Sequence, residues 1–137
     1  MIYLTMRKLA QHYEMKKRLE DEEKMLMLLE AAVYPKPALD GMPRAPGLGA
    51  EVGDLAAEIA DIRDHICSLR CEVERDEERV ATFIDTVEAP YIHAIFRLRF
   101  IRCLLWRDVA EAIGGGITSD GVRMVCYRYM NKRSQQK

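Results

Sequence analysis

The chain has 137 residues, enough for one modest domain or for a small domain carrying an elongated helical element. Hydrophobic residues make up 49%, charged residues 31% and aromatics only 7%, a mixture that suits charged amphipathic helices and argues against a sandwich or barrel. No apolar run approaches the roughly 18 residues of a membrane span, and the N-terminal MIYLTMRKLAQHYE has no secretory core, so the expectation is a cytoplasmic protein with no membrane partner.

In chain order, residues 3–33 read as a helix. Met15, Leu19, Leu26, Leu29 and Val33 fall near heptad spacing, and Glu22 occupies one apolar slot. Prolines and glycines between 35 and 53 (PKPALDGMPRAPGLGAEVG) interrupt any helix and predict a loop. The cleanest pattern follows over 55–87. Leu55, Ile59, Ile62, Ile66, Leu69, Val73, Val80, Phe83 and Val87 alternate steps of three and four, broken only at Asp76, a register-setting polar residue or a locally solvated one. Such a seam has to pack lengthwise against another helix. The two long helices can fold into an antiparallel hairpin, a coiled-coil arm over 1–88, and the same seam can pair with another copy, so a homo-oligomer through 55–87 is expected.

The net charge of -1 hides an asymmetry: residues 92–137 hold nine Lys/Arg against three Asp/Glu, which leaves the first 91 residues acidic. A basic end points to a polyanionic partner for that part of the chain, with a solvated basic helix as the plain alternative. Cys67, Cys71, Cys103 and Cys126 form neither a CxxC pair nor a disulfide-scaffold spacing, so reduced thiols are expected. Cys67 and Cys71 lie one helical turn apart, but a structural zinc site wants four ligands, and no metal or other cofactor is expected.

Pro90 suits the first turn of a third helix over about 89–102. A break at 102–105 leads to a short helix, 106–113, with Val109, Ala110 and Ile113 on one face. Gly114, Gly115 and Gly116 stop it, and Thr118 offers a capping hydroxyl for a last helix over about 119–132, with Val122, Val125, Tyr129 and Met130 inward. Short helix, glycine turn and second helix make a helix-turn-helix pattern over 89–137. Ala110 is small enough to let the second helix approach closely. Arg123, Met124, Tyr127 and Arg128 point outward, toward base edges or phosphates if this helix enters a major groove; Ser119 and Asp120 sit at its N-terminus, and Thr118 can reach a phosphate. A solvated surface role is the plain alternative for each.

The stretch 95–132, IFRLRFIRCLLWRDVAEAIGGGITSDGVRMVCYRYMNK, resembles the region 4 helix-turn-helix of sigma-70 family factors. The likeness lies in the RLRF opening, the LLWRDVAEAIG first helix and the TSDGVRMVCYRYM second helix. The first 90 residues do not resemble the sigma region that opens promoters. An arm, a Pro/Gly insert and a terminal sigma-like module together look like phage or prophage transcriptional regulators of the ArpU or RinA kind. The resemblance implies an all-α protein that binds double-stranded DNA through Thr118, Ser119, Asp120, Arg123, Met124 and Tyr127, regulates late phage genes, and contacts host RNA polymerase. Gly121, where the family carries a larger side chain, and the run Gly114 to Gly116 depart from its pattern.

Two other classes stay open: a helical scaffold that binds a protein partner, and a small DNA-binding subunit of a phage packaging motor. An enzyme is not expected. His12, His65 and His93 are dispersed, no nucleophile sits beside a base in a motif, and the glycine run lacks the Lys-Ser/Thr of a phosphate loop. Trp106 reads as a buried aromatic anchor more readily than as a base-stacking residue.

Overall fold

A computed structural model describes residues 4–33 and 49–135, with the backbone alone for 49–52 and 135. Among the described residues every regular element is helical: α1 (Met6–Val33), α2 (Gly49–Asp85), α3 (Pro90–Phe96) running into a π-helical turn (Arg97–Ile101), α4 (Trp106–Ile113) and α5 (Ser119–Gln135). The chain is therefore all-α, as its composition and periodicity lead one to expect. Two boundaries differ. Helix α2 begins at Gly49, inside the segment read as a loop, while the rest of that segment lies outside the described residues. The third helix does not run unbroken from 89 to 102 but widens after Phe96.

By contact the chain forms two compact units, one of Met1–Lys17 with Glu72–Lys137 and one of Arg18–Cys71. The start of α1 and the end of α2 belong to the same core as the C-terminal helices.

In the unit Arg18–Cys71, Ile59, Ile66 and Leu69 of α2 are buried and Leu55 and Ile62 half-buried, matched by half-buried Leu19, Leu26, Leu29 and Val33 of α1. Arg70 reaches Glu23 at 2.9 Å and Arg63 reaches Glu30 at 2.7 Å. From Glu23 to Glu30 on α1 is seven residues forward, and from Arg70 to Arg63 on α2 is seven back. Glu22, the odd residue of the α1 stripe, pairs with His65 at 3.2 Å and with Arg18. On the outer side of α1, Met25, Met27 and Leu28 are exposed, along with the charged Arg18, Asp21 and Lys24. Cys67 and Cys71 are free, exposed thiols.

The other unit has a convergent core. Leu9 and Tyr13 come from α1, Val80, Phe83 and Ile84 from α2, Val87 from the turn after it, Ile95 and Phe96 from α3, and Phe100 from the π turn. Val109 and Ala110 of α4 and Val122, Cys126 and Met130 of α5 complete it. Phe96 lies at the centre, its ring 6.0 Å from Phe83, 5.7 Å from Phe100 and 5.7 Å from Tyr129. Edge-on and tilted contacts at these distances add to the area each ring buries. The wide turn, closed by the Arg102 amide on the Arg97 carbonyl at 2.9 Å, keeps Phe96 and Phe100 in the core while Arg97 stays exposed. Cys103 ends it in the left-handed region, φ 60°, which costs a non-glycine residue about 1–2 kcal/mol. Its buried thiol faces the Tyr13 carbonyl.

Two charged groups join α1 to this core. The Arg99 guanidinium lies 3.5 Å from the Tyr13 ring centre and 4.4 Å from that of Trp106, and it donates to the Leu104 carbonyl at 2.9 Å. Trp106 itself is half-buried, where the sequence suggested a buried anchor, its ring perpendicular to that of Phe100 with centroids 6.4 Å apart. Lys16 donates to the Glu77 carboxylate and, at 2.6 Å, to the Ile101 carbonyl. Beside it His12 is buried with neither ring nitrogen hydrogen-bonded. Burial, and secondarily Lys16, lowers its pKa from the ordinary histidine value, against opposing pulls from Glu77 and Asp76. Asp76, the residue that breaks the seam, is thus half-buried in the electrostatic neighbourhood of His12.

Candidate nucleic-acid interface

Helix α4 spans Trp106–Ile113, with Val109 and Ala110 buried, Ile113 half-buried and Glu111 exposed. Gly114 ends it at φ 76°, and Gly115 and Gly116 continue at 73° and 76°. Three consecutive positive φ values are open to glycine at little cost and strained for any other residue, which is the physical reason for the run. Nothing lies within 4 Å of where a Cβ would stand at these three positions, so the backbone angle, and not space, excludes a side chain there.

Thr118 then caps α5. Its hydroxyl accepts the Gly121 amide at 3.0 Å and its carbonyl accepts the Val122 amide at 3.0 Å. Gly121 has a different reason to be small: a Cβ there would stand 3.1 Å from Ile117 Cγ1 and 3.2 Å from the capping oxygen. A larger residue would press on the cap itself. Val122, Cys126 and Met130 form the inner face of α5, against Val109 and Ala110 of α4 and the phenylalanines of the core. Burial pushes the Cys126 thiol up to about 12, so it stays protonated and behaves as a small apolar side chain.

The opposite face of α5 carries the residues read from the sequence. Asp120, Arg123, Met124, Tyr127 and Arg128 recur at steps of three and four, and all are exposed. Arg123 and Asp120 form a loose ion pair at 3.4 Å. Thr118 is exposed and uses one of its two hydroxyl lone pairs on the cap, and Ser119 is half-buried beside it. The structure therefore gathers five of the seven candidates on one outer stripe and sets Thr118 and Ser119 at its N-terminal end.

Charge is distributed less simply than the sequence halves suggest. The unit holding α5 also takes in residues 72–91, with seven Asp/Glu against two Lys/Arg, and residues 1–17, with four Lys/Arg against one Glu. That unit carries fifteen basic against eleven acidic residues, so its excess is positive but smaller than that of 92–137 alone. Two of the nine C-terminal cations are also held internally. Arg99 is stacked as described, and Arg133 lies 4.7 Å from the Phe83 ring centre and donates to the Tyr129 hydroxyl at 3.0 Å. Outside the seven candidates, Arg97, Arg102 and Arg107 are exposed around the start of α4. Their spacing gave no helical face, because the π turn and the Cys103 kink separate them.

Among the described residues no group of three His, Cys, Asp or Glu side chains is placed to hold a metal ion, and no helix is long and apolar enough to cross a membrane. Compared with known protein families, characterised proteins and solved structures, the chain matches none of them.

Proposed function

We propose that the protein is a sequence-specific regulator of transcription that binds double-stranded DNA, with α4, the glycine turn and α5 acting as a helix-turn-helix and α5 entering the major groove. The observation that carries this reading is the division of α5 into two faces: a packed one through Val122, Cys126 and Met130, and an exposed one through Asp120, Arg123, Met124, Tyr127 and Arg128. A helix so divided can lie in a groove without losing its support. Arg123 is the leading base-reading candidate, since a guanidinium bonds guanine O6 and N7 together. Its pair with exposed Asp120 is weak enough to be exchanged for DNA, and Asp120 is then free to accept from a cytosine amino group. Arg128, with exposed Arg102 and Arg107, supplies phosphate contacts.

On this reading the paired part of α1 and α2 is a helical arm. Its seam residues Ile59, Ile66 and Leu69 are covered within the chain, so a homo-oligomer uses the remaining faces, of which Met25, Met27 and Leu28 are the exposed apolar part. Two modules on one oligomer hold a two-half-site operator far more tightly than one. The sigma-like resemblance extends the proposal to phage late genes, host RNA polymerase as partner, and a cytoplasmic location. The exposed Met25, Met27 and Leu28 equally favour a second reading, in which the arm is a protein-binding scaffold.

Selection of bound duplexes from a random pool, followed by titration at fixed salt, separates the two. Arg123→Ala should weaken binding to the selected site by about 1–3 kcal/mol with an unchanged circular dichroism spectrum. Recovery of no DNA sequence by the full chain would move the assignment to the scaffold.

A further inference from the structure

A groove of about 1000 Å³ opens between the start of α1, the end of α2, α3 and the back of α5. That is the upper end of the range for small-molecule sites, roughly 300–1000 Å³. Its apolar lining includes Met6, Phe83, Ile92, Val125 and Met130. Along α5 the lining carries Arg128 and Lys132, one helical turn apart and both exposed, and neither forms an ion pair among the described residues. Among the described residues the only acid in the lining is Glu88.

We propose that this groove binds an anionic amphiphile, a small molecule with an aliphatic or aromatic body and one carboxylate or phosphate group. The apolar lining takes the body, and Arg128 and Lys132 take the head. An apolar lining of this size contributes nothing to a nucleic-acid backbone, and a neutral apolar ligand leaves both cations without a partner. Arg133 is not part of the head site, because Tyr129 and the Phe83 ring already hold it. The site does not rest on the DNA-binding reading. It does share one residue with that reading: Arg128 lies where the outer stripe of α5 meets the groove, so a bound head group would neutralise a charge offered to phosphate.

The test uses the full chain, with the fluorophore anilinonaphthalene sulfonate as probe and dodecanoate, dodecyl phosphate and dodecanol as competitors. The expected result is single-site saturation, with both anions displacing the probe at least about tenfold better than the alcohol. Lys132→Glu and Arg128→Glu should each weaken dodecanoate binding by about tenfold while circular dichroism stays native, and Val125→Trp should block the groove. Equal displacement by dodecanol, absence of saturation, or charge reversals that leave dodecanoate affinity intact would overturn the proposal. The two charge reversals at exposed positions decide the matter even if Val125→Trp does not fold.

Discussion

The two halves of α2 carry the same three-four apolar spacing and use it differently. In the unit Arg18–Cys71 burial on α2 follows a single line, Ile59, Ile66 and Leu69 buried and Leu55 and Ile62 half-buried, and most other residues of that stretch are exposed. In the other unit Val80, Phe83 and Ile84 join side chains from α1, α3, the π turn, α4 and α5 in one core. Periodicity determines which face of a helix is covered. How many partners cover it, and hence how much each side chain contributes, depends on the rest of the fold.

Core truncation should expose this difference most strongly. Phe96→Ala, at the meeting point of three aromatic rings, should cost about 3–5 kcal/mol in urea unfolding, whereas Ile66→Ala should cost about 2 kcal/mol because a two-helix seam can close around the loss. If Ile66→Ala matches Phe96→Ala, the single-row description of the arm fails.

Glycine replacements should differ in sign between the two regions. Gly115→Ala, at φ 73°, should destabilise by about 1–2 kcal/mol. Gly53→Ala, within α2 and with open space around its would-be Cβ, should stabilise by about 0.5–1 kcal/mol. Thermal melts of the two variants check both signs together.

His12 ties the convergent core to pH. Its folded pKa is depressed below the ordinary value of 6.5, so in the window below 6.5 the unfolded chain binds the proton more readily. Its contribution is fully present above that value and is lost as pH falls toward the lower folded pKa. His12→Leu removes two ring nitrogens that have no hydrogen-bond partner, so stability near neutral pH should stay within about 1 kcal/mol of the original. The fall in stability from about pH 7 to 5 should be shallower than in the unaltered chain. An equal slope in both proteins would mean that other groups carry the dependence.

The smallest effect belongs to the arm's ion pairs. Arg70 and Glu23 are about half exposed, and a double-mutant cycle on them should return less than about 1 kcal/mol, decreasing with salt. A larger coupling would show that the arm is held by charge as much as by its seam.

The sequence alone determined the all-helical class and helix α4 to the residue. It also determined the Thr118 cap and the exposed stripe of α5, because each depends on local physics: periodicity, a capping hydroxyl three residues from the amide it accepts, glycines where φ is positive. Only the tertiary structure decided that Leu9 and Tyr13 lie in the same core as Val122 and Cys126, more than a hundred positions away. The same holds for Arg99, whose charge reads in sequence like that of any other C-terminal cation until Tyr13 and Trp106 enclose it. Such contacts join residues with no fixed spacing along the chain, so no periodic pattern can announce them.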